Sequence, residues 1–310
     1  MITVETLSRN YGDFIAVREV SFQIPRGTVV GLLGHNGAGK TTIMKVLTGY
    51  LEPTSGTVQI DGLDIIPHRL EVQRKIGYLP ENSPVYPEMT VIDYLEYVAE
   101  LRGIAPEDRA NAIRNAIQRT RLEEKSTDSI QTLSRGYKQR VGVAQAILHE
   151  PEILILDEPT NGLDPSQIEE MRQLIRELSQ KATVILSTHI LQEVHAVCDR
   201  VLIISRGSVV LDSLISELST SNQFLVETDT SLDSIQQQLH NIEAIKDIQY
   251  IGARNGTGPK RQEYRITLST EDPGVSAHIV RALVEGGSNV FQFQAETKNL
   301  ESIFKEVSTQ

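Results

Sequence analysis

The sequence predicts an α/β fold, a parallel sheet flanked by helices, followed by a smaller α+β unit. Three observations carry that expectation. A complete Gly-x-x-x-x-Gly-Lys-Thr loop, Gly34-His35-Asn36-Gly37-Ala38-Gly39-Lys40-Thr41, stands between an apolar run and a helical pattern. Helix and strand patterns then alternate from Gly136 to Ser205, as they do around parallel sheets. Beyond a polar stretch, Ser219-Thr220-Ser221-Asn222-Gln223, the order changes to strand, helix, strand, strand, helix, strand, a split βαβ unit.

The elements follow in order. Ile2–Leu7, Val17–Ile24 and Thr57–Ile60 alternate or cluster apolar residues as strands do, and turn formers separate them at Arg9–Asp13, Pro25–Gly27 and Glu52–Gly56. These first residues predict antiparallel strands beside the loop-bearing unit. Thr28–Leu33 is a short apolar strand and Thr42–Leu47 a helix. Helical patterns recur at Val91–Arg102 and Glu107–Leu122, with Pro106 starting the second. The alternation comprises helix Gly136–Leu148, strand Ile153–Leu156, helix Pro165–Leu178, strand Thr183–Ser187, helix Leu191–Cys198 and strand Val201–Ser205. Ile153-Leu154-Ile155-Leu156 is apolar throughout, as interior parallel strands are. The last unit reads Phe224–Glu227, Leu232–His240, Ile245–Ile251, Tyr264–Leu268, Ala277–Glu285 and Asn289–Ala295. A loop at Gly252–Gln262 and a final helix at Leu300–Val307 are also expected.

Bulk composition narrows the function classes. The chain has 310 residues, 41 acidic and 30 basic, for a net charge of −11. That balance argues against a nucleic-acid partner, which needs a basic face. No apolar run approaches the ~18–20 residues that cross a bilayer. The start, Met1-Ile2-Thr3-Val4-Glu5, predicts no signal peptide. The single cysteine, Cys198, excludes an internal disulfide, suits a cytosolic setting and reads as a packed thiol.

Three segments carry chemistry. In Gly34–Thr41 the glycines let the backbone turn inward so that successive N–H groups face one anion. Lys40 brings charge to the β/γ-phosphates, and the Thr41 hydroxyl is a Mg²⁺ ligand. The helix that follows adds its N-terminal dipole. The strand Ile153–Leu156 ends in Asp157-Glu158, two carboxylates at a strand end, where ligands bind in open α/β sheets. Asp157 is placed to hold Mg²⁺ and Glu158 to polarise an attacking water. Neighbouring side chains leave a strand in opposite directions, so bringing both to one site requires a turn there. In Leu133-Ser134-Arg135-Gly136-Tyr137, Ser134 reads as an N-cap and Gly136 exposes N–H groups, a second anion site. Alone, that pattern also fits ordinary helix capping.

The order of these segments resembles the nucleotide-binding subunit of ABC transporters. The phosphate loop comes first, then Leu-Ser-x-Gly, then the apolar strand with Asp-Glu. Asn161-Gly162-Leu163-Asp164 and Ser187-Thr188-His189 follow. The resemblance covers about residues 1–215. It implies an ABC-type ATPase fold over residues 1–218, with a helical part at about 82–150. Residues 219–223 would be a linker and 224–310 a ferredoxin-like accessory domain. It implies ATP and Mg²⁺ as ligands. Tyr11 would stack on adenine, though a turn aromatic fits it too. Gly34 to Thr42, including His35, Asn36, Gly37, Ala38, Gly39, Lys40, Thr41 and Thr42, would wrap the phosphates. Ser134, Arg135, Gly136 and Tyr137 would meet the γ-phosphate held by a second copy of the chain, head to tail. Asp164 would link the two sites, and His189 would act with Glu158 in catalysis.

Two departures from the family pattern stand out. Glu81, in Gly77-Tyr78-Leu79-Pro80-Glu81-Asn82, occupies the position of a usual glutamine and so joins Thr41 and Asp157 as a Mg²⁺ ligand. Arg135 and Tyr137 replace the usual glycine and glutamine of the signature, and Arg135 adds a charge toward the phosphates. The Pro-Glu-Asn run and the C-terminal unit resemble exporter-type subunits of the multidrug, sodium and gliding-motility groups. The expected function is an ATP-hydrolysing subunit, cytoplasmic and peripheral on the inner face of the membrane. It would drive separate multispanning permease subunits that dock on Ser83–Met89 and Val91–Leu122. The alternative is an ABC ATPase powering gliding, surface machinery, ribosomes or DNA transactions.

Overall fold

The chain begins with β1 (Ile2–Tyr11), β2 (Phe14–Ile24), β3 (Val29–Leu33), α1 (Lys40–Leu47), β4 (Ser55–Ile60) and β5 (Leu63–Asp64). The computed structural model describes residues 1–219, 223–254, 261–269, 273–295 and 304. It divides into two compact units, one built on Met1–Ile215 and one on Ser216–Ile303. In the first, β2-β1-β4-β5 form an antiparallel sheet. Ile2, Val4 and Leu7 turn one face of β1 into the core. The turn expected at Arg9–Asp13 shrinks to Gly12-Asp13, because Arg9, Asn10 and Tyr11 pair with Val17, Ile15 and Phe14. Register shifts along β1 admit the extra residues, and cross-strand pairing outweighs the local turn preference of Asn10.

Two short elements that the sequence did not announce come next, α2 (Arg69–Lys75) and β6 (Ile76–Leu79). Then follow α3 (Val91–Leu101), α4 (Pro106–Thr120), α5 (Arg135–Ile147), β7 (Ile153–Asp157) and α6 (Pro165–Ser179). The unit closes with β8 (Thr183–Thr188), α7 (Leu191–Val197), β9 (Arg200–Ser205) and β10 (Ser208–Leu214). Helix starts match their chemistry: the Thr90 and Ser134 side chains cap α3 and α5, and Pro106 opens α4. Asp164 and Gln167 form a capping box at the start of α6.

The second sheet has the order β10-β9-β3-β8-β7-β6. Its strands β9, β3, β8, β7 and β6 run parallel, and β10 is antiparallel to β9. Every residue of β3, β7 and β8 is buried, as strands covered on both faces must be. Parallel register puts Leu33 opposite Thr188, and Asp157 opposite Ser187. The phosphate loop, the carboxylate pair and His189 therefore leave the sheet at one carboxyl edge, the ligand side of such sheets.

The second unit begins within α8 (Ile215–Ser219) and contains β11 (Gln223–Thr228), α9 (Leu232–Leu239), β12 (Ile245–Arg254), β13 (Arg261–Leu268), α10 (Pro273–Glu285) and β14 (Val290–Ala295). Its antiparallel sheet has the order β12-β13-β11-β14. Its own core gathers Val226, Ile235, Leu239, Tyr264, Ile266, Leu268, Ile279 and Leu283. The loop expected from Gly252 to Gln262 is narrower, since β12 runs to Arg254 and β13 starts at Arg261. Residues 220–222 of the expected linker, 255–260 of that loop and all but Phe304 of the expected helix at Leu300–Val307 lie outside the described residues.

Candidate active site

The phosphate loop is held open from behind. Gly39 caps α1 with φ +108° and lies so close to β2 that a Cβ there would stand 2.6 Å from the Ala16 carbonyl oxygen. A Cβ on Gly34 would stand 2.4 Å from the Ile204 carbonyl oxygen. Glycine is the residue that both positions accept. Lys40 is buried and donates to the Gly34 carbonyl at 2.6 Å and the His35 carbonyl at 3.2 Å. Its ammonium is thereby kept inside the loop, 3.4 Å from Glu158 Oε1.

The strand end of β7 completes the site. Asp157 is fully buried; its Oδ1 accepts from the Ser187 hydroxyl at 2.5 Å and from Thr41 at 3.3 Å. Burial pushes the Asp157 carboxyl up, while the two hydroxyls oppose that shift. Its other oxygen, Oδ2, is buried with no hydrogen-bond partner among the described residues. A buried orphan carboxylate oxygen beside a hydroxyl suits a hard cation that takes oxygen ligands. Among the described residues no three His, Cys, Asp or Glu side chains gather to hold a metal alone. A site relying on few protein oxygens matches Mg²⁺, which keeps waters and takes phosphate oxygens.

Glu158 has φ +48°, in the left-handed region that non-glycine residues avoid. At this turn the Glu158 side chain reaches the Lys40 ammonium, at the end of the strand that carries Asp157. The Glu158 N–H donates to Ser187 Oγ at 2.9 Å. Its Oε2 lies 2.9 Å from His189 Nδ1. A carboxylate only accepts, so Nδ1 carries the proton in this contact. Ser187 joins both carboxylate positions, a role the sequence analysis missed because its partners lie 30 and 29 residues away.

A cleft of about 420 Å³ gathers Tyr11, Asn36 to Thr42, Glu81 and Glu158. Tyr11 is 45% exposed at its rim, with the Arg9 guanidinium 4.9 Å from its ring centre, and Phe14 is a second, unanticipated aromatic there. An adjoining cavity of about 490 Å³ meets Thr41, Glu81 and Asp157 from the other side, between Tyr78, Arg102 and Gln145. The exposed Glu81 borders both.

Ser134, Arg135, Tyr137 and Asp164 line neither space. Ser134 caps α5, accepting from the Tyr137 N–H at 3.4 Å. The Arg135 guanidinium rests on Gly162, where a Cβ would stand 2.3 Å from its central carbon. Gly136 leaves just enough room for Gln167. The start of α5 is thus packed on the loop before α6.

The family profile described as ABC transporter matches residues 17–161. The chain is 32% identical over 307 residues to the uncharacterized ABC transporter ATP-binding protein YxlF of Bacillus subtilis, covering 99% of each chain. The chain belongs to the ABC transporter ATP-binding family. This ABC ATP-binding subunit is also 36% identical over 233 residues to the bacitracin transport ATP-binding protein BcrA of Enterococcus faecalis, covering 74% of this chain and 75% of BcrA. Among solved structures, the subunit is similar to an ATP binding subunit of an ABC transporter, with TM-score 0.64 and 32% identity over 70% of this chain and 91% of that one. It is similar too to the dimeric structure of the cassette MJ0796, with TM-score 0.64 and 25% identity over 69% and 99%. The ABC ATP-binding subunit is an α/β ATPase that binds ATP. Among the described residues, no helix is long and apolar enough to cross a membrane.

Proposed function

We propose that two copies of this ABC subunit clamp two ATP molecules head to tail and, on hydrolysis, let go. Closing and opening drive separate membrane permeases, in the direction of export. The observation that carries this reading is the convergence of Lys40, Thr41, Asp157, Glu158 and His189 on one cradle. Tyr11 stacks on the base at the rim. The loop N–H groups of Gly34 to Thr42 and the Lys40 ammonium take the phosphates. Thr41, Asp157 and Glu81 hold Mg²⁺, which neutralises phosphate charge when bound. Glu158 accepts a proton from the attacking water, and His189, held by Glu158 through Nδ1, turns Nε2 toward the γ-phosphoryl group.

Ser134, Arg135, Gly136 and Tyr137 stand outside the cleft, which supports a role toward the partner's γ-phosphate. A helix N-terminus capped by Ser134 offers N–H donors to that anion. The dimeric MJ0796 cassette and the bacitracin transport protein support the assembly and the export reading. The permease docks over Ser83–Met89 and the α3–α4 pair, so the subunit works at the inner face of the membrane. The division 1–218, 219–223 and 224–310 belongs to the same proposal.

Glu158→Gln tests the core of it. The variant should bind ATP with near-normal affinity, lose at least about 10²-fold in turnover, and form a stable dimer with ATP by light scattering. Turnover near the unaltered rate would remove Glu158 from the role of base.

A further inference from the structure

Behind the cleft, a single carboxylate joins the two strand ends that carry the reacting pair. Glu193, in α7, is 3% exposed. Its Oε1 accepts a hydrogen bond from the Thr160 hydroxyl and its Oε2 one from the Thr188 hydroxyl. Both threonines are buried, at 4% and 0% exposure. Thr160 lies two residues past Glu158, and Thr188 immediately precedes His189. The Thr188 oxygen accepts in turn from the Ile190 N–H at 3.0 Å, which fixes the direction of its hydroxyl.

The turn under this clamp is strained. Left-handed geometry at a non-glycine residue is costly and persists where surrounding contacts over-determine it. At Glu158 those contacts come from two sides. Ser187 holds the near side through the Glu158 N–H. Glu193 holds the far side through Thr160, just where the turn closes with Asn161 N–H on the Glu158 carbonyl at 3.1 Å. Burying a carboxylate is costly unless its oxygens are satisfied, and the two threonine hydroxyls satisfy one oxygen each. A carboxylate offers two acceptors at fixed separation, so it ties two chain segments in one geometry, which an apolar side chain does not.

We propose that Glu193 is a positioning residue for ATP hydrolysis. It locks the strained turn of Glu158 to the strand end of His189, which keeps the 2.9 Å Glu158–His189 contact and the 3.4 Å Lys40–Glu158 contact in place. This rests on the reading of Glu158 as the base. Without the clamp the turn relaxes and the carboxylate leaves its aim. The phosphate cradle is built by β3, the loop and α1, so ATP binding stays.

The test separates turnover from affinity in Glu193→Ala, Glu193→Gln and the paired Thr160→Val/Thr188→Val chain. Turnover of Glu193→Ala should fall at least ~10-fold while its affinity for a fluorescent ATP analogue stays within ~2-fold. Glu193→Gln should recover most of the loss, because its amide oxygen accepts from one threonine and its NH₂ group donates to the other. The threonine pair should match Glu193→Ala, and adding it to Glu193→Ala should lower turnover no further. Turnover of Glu193→Ala within ~2-fold of the unaltered chain, or affinity and turnover falling together without recovery in Glu193→Gln, overturns the inference. If the alanine variant does not fold, the near-isosteric Thr188→Val alone must still show lost turnover with kept affinity. Glu158→Gln runs beside them. Turnover near the unaltered rate there fails the base assignment, whereas a strongly impaired Glu158→Gln with an active Glu193→Ala fails the inference about Glu193 alone.

Discussion

At the scale of single residues, Ser187 tests whether the site is wired as its hydrogen bonds suggest. It is fully buried; its hydroxyl donates to Asp157 Oδ1 and its oxygen accepts from the Glu158 N–H. Ser187→Ala removes both bonds at once and leaves a buried N–H without a partner. That should cost about 1–3 kcal/mol of stability, read as a lower urea midpoint at unchanged slope. Turnover should fall too, since the strained Glu158 turn loses one of its two anchors. An unchanged midpoint would mean that another group takes over the N–H. Residues such as Gly34 to Thr41 were legible in the sequence because their chemistry is local: glycines for left-handed turns, then lysine, threonine and a helix start. Asp157 and Glu158 were legible because an apolar strand ending in two carboxylates is unusual. Ser187, Thr160 and Glu193 were not. Their roles arise from β7, β8 and α7 meeting in space, and nothing in Ser-Thr-His or in a lone helical glutamate announces such partners. Arg135 was expected to add charge at the phosphates; within its own chain its guanidinium packs on Gly162.

Among elements, the junction of α5 with β6 carries a pH dependence. His149 follows α5 and donates through Nε2 to the Ile76 carbonyl at 3.1 Å, while Nδ1 is buried without a partner among the described residues. Burial, and then the Arg102 guanidinium, hold its pKa down to about 4 from 6.5. The folded imidazole therefore stays neutral at pH 5, where the unfolded one is protonated. The unfolded chain binds more protons, so stability is full above pH 6.5 and falls as pH drops toward 4. The whole shift corresponds to on the order of 3 kcal/mol. His149→Gln keeps a donor for Ile76 and titrates nothing. Its urea midpoint should fall less across that pH range than that of the unaltered chain, and parallel curves would discharge His149 from the effect. The long helices and the apolar strands were readable from period and caps, to within a residue or two at most ends. The misses were β5, α2, β6, β10 and α8. Of these, α2 and β6 are short, and β10 is a half-buried edge strand with no clean alternation. At Arg9–Tyr11 the turn propensity was real but pairing with β2 overrode it.

Across the whole molecule, two cores imply two cooperative transitions. The larger unit is organised around Ile43, Met44, Val30, Leu32, Ile155 and Ile185, among others, and the smaller around Tyr264 and its neighbours. Each core is made from residues of its own unit, and a domain with its own core unfolds as its own unit. The residues placed in the ATP cradle, from Tyr11 to His189, all belong to the larger one. A ligand that binds only the folded form stabilises it by RT ln(1 + [L]/Kd), about 2.7 kcal/mol at a hundredfold excess over Kd. For a unit of that size this corresponds to roughly 2–4 °C per kcal/mol. Calorimetry of the Glu158→Gln chain, in which ATP is not consumed, should show two transitions. Saturating ATP with Mg²⁺ should raise one by several degrees and leave the other where it was. In the Lys40→Ala chain the same addition should move neither, because the ammonium proposed to meet the phosphates is gone. A single transition that ATP shifts as a whole would mean that the two cores melt as one cooperative body.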